Sequence, residues 1–174
     1  MSRVPRIFPF LFLLIFLVGC AAGELTSESF YADEADFLID EEARIADTAE
    51  TREVLEVLIE YRRALVSKDF GAISRMVSED YYDNAGTTHT TGDDWGQDQL
   101  GEVLELLAQH AEQIRYRVIV KDVQVENRRA QIDFEYEYAF QYKVGDLDRW
   151  DAGTDVMRMQ LAREGDRWRI TGGL

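Results

Sequence analysis

His110 and Asp83 are the side chains in this chain best placed to move a proton. His110 falls on the apolar side of a helical stretch with Leu100, Val103, Leu104, Leu107, Ala111 and Ile114. An imidazole there acts as a general base near neutral pH, or stays a hydrogen-bonded core histidine. The other histidine, His89, lies in a Thr-Thr-His-Thr-Thr run near Asp93 and Asp94 and reads as part of a solvated loop. Two histidines without spaced partners make no metal set, and a single cysteine, Cys20, excludes cysteine ligation. Gly172-Gly173 precedes no helix, so no phosphate loop is expected. No serine has the strand–turn–helix setting of a nucleophile elbow. Neither a cofactor nor a metal is expected.

The aromatic residues offer binding rather than bond-making. Tyr61, Tyr81, Tyr82, Trp95, Tyr136, Tyr138, Phe140, Met157 and Trp168 can line one cavity, with Asp83 and His110 as its polar members. Such a lining suits a small apolar or amphipathic ligand; the alternative is a core filled by the same rings.

The elements that must position these residues follow from periodicity. Val54, Leu58, Tyr61 and Leu65 define one face of a helix over 50–67, with Asp47 and Glu50 at capping-box spacing. Asp69 caps a short second helix over 70–78. A third starts at Asp93 or Asp94 and runs to about Gln113. The period then falls to two. Over 130–142 the even positions are apolar or aromatic, which predicts a strand with one wet face. The preceding segment alternates as well but changes phase between Val120 and Val123, so a β-bulge is expected at Lys121–Asp122. That bulge pairs Val125 with Ala130, Val123 with Ile132, Val120 with Phe134, Val118 with Tyr136 and Tyr116 with Tyr138. It also sets Arg117 opposite Glu137 on the outer face. A loop at 143–152 leads to strands over 153–163 and 168–172. Three helices before a bulged antiparallel sheet make an α+β domain, and the bend of that sheet favours a pocket.

The chain carries 34 acids against 19 bases. Ten of the acids lie in residues 24–50, where Arg44 is the one base. This stretch reads as an extended, self-repelling tether whose Phe30, Tyr31, Phe37, Leu38 and Ile39 can dock on the domain or on a partner. So acidic a chain, without a basic stripe, excludes nucleic acid as a partner.

At the other end of the tether, Arg3 and Arg6 precede an apolar run from Ile7 to Gly19. As a helix this run spans about 20 Å, short of the roughly 30 Å hydrocarbon core, and suits a signal sequence. Leu17-Val18-Gly19-Cys20 resembles the lipobox of bacterial lipoproteins. The resemblance implies a signal peptide over 1–19, acylation of Cys20, and a lipid anchor on the non-cytoplasmic side of the cell envelope. Ala21 resembles the pattern that sorts such proteins to the periplasmic face of an outer membrane. The tether then covers 20–47 and the folded domain 48–174.

Four phrases carry a second resemblance: Tyr61-Arg-Arg-Ala-Leu-Val-Ser-Lys-Asp69, Ser78-Glu-Asp-Tyr-Tyr-Asp83, Lys121-Asp-Val-Gln-Val125 and Trp168-Arg-Ile170. In this order they resemble the NTF2-like superfamily, which includes SnoaL-like cyclases and ketosteroid isomerases. The implied fold is a cone of three N-terminal helices on a curved, bulged antiparallel sheet. The isomerases of that superfamily imply Tyr61 as an oxyanion donor and Asp83 as a base, although alignment at Asp83 needs a shift. They also imply an inward acid on the long strand, and the inward positions here (Ile132, Phe134, Tyr136, Tyr138, Phe140, Tyr142) hold none. The expectation is therefore a membrane-anchored, non-catalytic domain that binds a small apolar ligand or an envelope protein. The alternative is an isomerase, cyclase or hydrolase working by acid–base catalysis. The polar outer sheet face (Arg115, Arg117, Glu135, Glu137) offers a third role, docking or homodimerisation.

Overall fold

The computed structural model describes residues 23–30, 34–84 and 94–174. Helix α2 (Ala49–Ser67) is the spine of the domain and buries Val54, Leu55, Leu58, Ile59, Tyr61 and Leu65 on one face. Its N-cap is Thr48, whose hydroxyl accepts from the Thr51 amide. Asp47, expected to cap it, instead holds the Arg52 guanidinium at 2.6 and 2.8 Å. Lys68 closes the helix in the left-handed region. Asp69 then caps α3 (Phe70–Met76), as its position predicts.

Helix α4 (Gln97–His110) starts later and ends earlier than expected. The Gln99 side chain accepts from the Gly96 amide to fix its start. Its end passes directly into β4 (Ala111–Glu126), so Ala111 and Ile114 are buried strand residues rather than the last helical turn.

The sheet carries β4 against β5 (Arg129–Val144), β6 (Leu147–Glu164) and β7 (Arg167–Gly172), with consecutive neighbours antiparallel. All five register pairs that the phase change implies are observed, and the register shifts between Val120 and Asp122. Arg117 meets Glu137 at 3.3 Å on the outer face. The loop expected at 143–152 is a continuation of the β5–β6 hairpin, turned at Gly145-Asp146 with Gly145 at φ +63°. Both faces of that tip are exposed, so it carries no apolar period to read. A short pair, β2 (Tyr82–Asp83) with β3 (Trp95–Gly96), stands beside the sheet.

The acidic stretch differs most from expectation. Helix α1 (Ser27–Phe30) is followed by β1 (Phe37–Ile39), which joins the sheet parallel to β4 in register Phe37–Val118 to Ile39–Val120. Leu25, Phe37, Ile39 and Ile45 are all buried in the main core. The first described residue is already held, the Asp47 amide donating to the Gly23 carbonyl at 2.6 Å. Residues 24–30 and 34–46 are thus strapped to the domain, which extends well before residue 48. Three acids of this strap meet cations of the domain. Glu34 and Asp36 hold Arg62 at 3.0 and 2.9 Å, and Asp40 holds Lys121 at 2.8 Å.

Among the described residues no helix is long and apolar enough to cross a membrane.

Phe37 is 2% exposed, so Phe37→Ala should cost about 3–5 kcal/mol in urea unfolding. It should also open the strap to cleavage at Glu41 or Glu42 by a glutamyl endopeptidase. Unchanged stability and resistance would show that the strap contributes nothing.

Candidate functional site

The inner face of the sheet is a ladder of rings. Tyr61 of α2 meets Tyr116 edge-on at 6.2 Å between centroids. Tyr116 stacks on Tyr136 at 5.1 Å. The ladder continues to Tyr138 at 6.1 Å and then to Phe140 at 5.3 Å. Strand alternation places these rings on one side, and the bulge keeps β4 and β5 in phase despite the change in sequence period. The ring of Tyr138 lies over Gly153 on β6, where a Cβ would approach its hydroxyl to 2.9 Å. The space around Tyr61 is therefore filled by protein. Tyr61 is 8% exposed and Tyr116 5% exposed.

Burial raises the pKa of both phenols, because a tyrosinate there would lose its hydration. Tyr81 is raised as well, by burial first and then by the neighbouring Asp83 carboxylate. All three phenols therefore keep their protons at neutral pH.

The open space lies further along the ladder. A cleft of about 670 Å³ begins at Tyr136 and runs to the edge of β6. Its walls are Tyr82 and Asp83 of β2, Trp95 of β3, Tyr136 of β5, Asp155 and Met157 of β6, and the C-terminal Gly173-Leu174. Five of the residues expected to share a cavity meet here: Tyr82, Asp83, Trp95, Tyr136 and Met157. Asp83 is held by the Gly173 amide at 2.7 Å, and the Tyr81 hydroxyl lies 3.5 Å from the same carboxylate oxygen. Gly173 makes this possible. It sits at φ +82°, and a Cβ at this position would collide with the Arg158 carbonyl. Tyr136 and Asp155 are directly paired across the strands, and that carboxylate, after burial, raises the Tyr136 phenol.

The other expected members lie elsewhere. Tyr61 and Tyr81 are core residues behind the cleft, and Tyr138 and Phe140 belong to the ladder beyond it. Trp168 lies in a separate groove of about 920 Å³ between α2, α3 and β7. That groove is larger but lined mainly by polar side chains and charges of both signs, with Trp168 as the one aromatic wall among the described residues. His110, expected on a buried face, is exposed. As the last residue of α4 it falls about 90° off the face of Leu100, Leu104 and Leu107. His89 lies outside the described residues. Asp155 was missed, although it shares the parity of Met157, Met159 and Leu161 and so the inward face of the expected strand. Its pairing with Tyr136 is visible only once the hairpin register is known. Among the described residues no cluster of histidine, cysteine and acidic side chains can hold a metal ion.

Helices packed against a curved, mainly antiparallel sheet that does not close into a barrel, with a cleft at its open end, have clear structural counterparts. The fold is NTF2-like. A conserved protein from Planctomyces limnophilus superposes with a TM-score of 0.59 at 14% identity, over 72% of this chain and 93% of its own. A protein from Streptomyces avermitilis described as a putative dehydratase of the NTF2-like family does so with 0.59 at 15% identity, over 72% and 95%. A ketosteroid isomerase-like protein from Erwinia carotovora atroseptica gives 0.56 at 18% identity, over 72% and 94%. No family model and no curated protein matches the sequence.

Raised phenol pKa values have a definite consequence for stability. The native state holds these protons where the unfolded chain, with an ordinary tyrosine pKa near 10, gives them up. Their contribution is therefore complete below about pH 10 and is lost above it. In an alkaline titration, tyrosinate absorbance from Tyr61, Tyr81 and Tyr116 should appear together with unfolding. Reversible ionisation of every tyrosine in the native state would contradict this burial.

Proposed function

We propose that this protein is a lipid-anchored, non-catalytic NTF2-like domain of the bacterial cell envelope that binds a small amphipathic ligand in the aromatic cleft. The observation that carries the reading is the lining itself. Tyr82, Trp95, Tyr136 and Met157 supply apolar area, and Asp83 supplies a fixed polar contact. Acid–base catalysis would need Tyr61, Asp83 and His110 around one reacting centre. Asp83 alone of the three lines the cleft; Tyr61 is packed under rings and His110 is on the surface. The dehydratase and isomerase names belong to structural neighbours at 15 and 18% identity, which speak for the fold alone. A docking role has its own support in Val156, 72% exposed, and Trp150, 47% exposed, on the outer sheet face.

Anchoring rests on the lipobox-like Leu17-Val18-Gly19-Cys20 after an apolar run. The strap changes its consequence. With the chain fixed from Gly23, two residues, Ala21 and Ala22, separate an acylated Cys20 from the domain, a reach of about 10 Å. The domain then rides against the membrane surface rather than at the end of a long tether.

Two measurements test this reading. Cys20→Ala should move the protein from the membrane fraction to the soluble fraction; retention would contradict the anchor. Native mass spectrometry of the protein from its own membranes should reveal a bound small molecule. An empty chain that also acts on no apolar substrate would leave docking as its role.

A further inference from the structure

The charge around the cleft identifies the class of ligand more narrowly than its shape does. We infer that the cleft takes an organic cation: an amine or quaternary ammonium group carried on an apolar body. This inference rests on the ligand-binding reading above and adds the sign of the charge.

Two carboxylates line the cleft, Asp83 beside the C-terminus and Asp155 on β6. Among the described residues, the one cationic side chain in the lining is Arg158. Its guanidinium is engaged by Asp133 through two contacts of 2.6 Å. Asp133 and Arg158 are a register pair, and successive strand residues alternate faces. Met157 and Asp155 therefore face the cleft side, and Arg158 directs its charge to the opposite side of the sheet. The chain as a whole is strongly acidic, and loss of Arg3 and Arg6 with a signal peptide leaves 17 bases against 34 acids. An anionic ligand would meet repulsion both locally and from the whole surface. A neutral apolar ligand would gain nothing from the carboxylates and would have to desolvate them.

A cation uses both features of the lining. Ring faces attract positive charge through their quadrupole, tryptophan best, and Tyr82, Trp95 and Tyr136 come from three different strands around the same space. Asp155 stands directly across from Tyr136, so carboxylate and ring can act on the same cationic head. Asp83 is held by the Gly173 amide at 2.7 Å and gives the second negative pole without moving. The flexible thioether of Met157 adapts to the apolar body.

The test compares three probes of one shape and different charge: benzyltrimethylammonium, the neutral alcohol benzyl dimethyl carbinol, and the anion phenylmethanesulfonate. Binding to the full chain in nonionic detergent is followed by isothermal titration and by tryptophan fluorescence. The ammonium should bind about tenfold or more tighter than the alcohol, as a partly desolvated cation–ring contact implies, and the anion should not bind. Asp155→Asn and, separately, Trp95→Ala should bring the ammonium down to the affinity of the alcohol. Asp155→Asn should leave the affinity of the alcohol itself unchanged, which also shows that the variant is folded. Equal binding of ammonium and alcohol overturns the charge inference and leaves the apolar cleft standing. Preference for the ammonium that survives both substitutions also overturns it, by assigning the preference to the acidic surface at large. No binding of any probe removes the inference and the ligand-binding reading together.

Discussion

Arg62 ties three parts of the protein together at one point, α2, β4 and the head of β1. It rises from the middle of α2 and donates to the Tyr116 carbonyl on β4 at 2.9 Å. Its two terminal nitrogens hold Glu34 and Asp36 at the head of β1. A guanidinium 8% exposed is costly unless its donors are used, and here each of its three nitrogens has an acceptor. The same contact sets the height of α2 over the sheet, and so the place of Tyr61 in the ladder of rings. It also fixes the strand that covers the outer edge of β4. An acidic chain with a net charge of −15 has to distribute its repulsion, and this strap does so by taking a buried cation as its partner.

From that constraint the site follows. With α2 pressed onto the sheet, the rings of Tyr61, Tyr116 and Tyr136 pack into one another, and the narrow end of the cone is solid. The sheet bends at the bulge beside Val120, while β7 covers only the last part of β6, from Gln160 to Glu164. The uncovered part of β6 brings Asp155 and Met157 into the open cleft. The cleft is thus a product of where packing stops. Its chemistry is that of the residues left at the boundary: a ring with a carboxylate on the sheet, Tyr136 and Asp155, and another such pair, Trp95 and Asp83, on β2 and β3.

The sheet was legible in the sequence because one wet face forces strict alternation, and the break in phase at Lys121–Asp122 has one simple physical remedy. The helices were legible to within a turn. What escaped lies where a local pattern is overruled by distant partners. Phe37, Leu38 and Ile39 look like sticky spots in an acidic tether because the cations that receive its acids, Arg62 and Lys121, are far along the chain. His110 looks buried by residue type because a helix ending at Gln113 would keep its neighbours in phase; the helix ends at His110 instead. The cleft was read as a single cavity with Tyr61 and Trp168 in it. Depth is not encoded in periodicity, so inward residues that fill the core and inward residues that line space look alike.

NMR of the full chain with bound benzyltrimethylammonium distinguishes the cleft from every other site on this fold. Intermolecular Overhauser contacts from the ammonium methyl groups should fall on the Trp95 and Tyr136 rings and the Met157 methyl. Contacts to Tyr61 and Tyr116 instead, or to no single cluster of residues, would contradict a binding site at the open end of the cone.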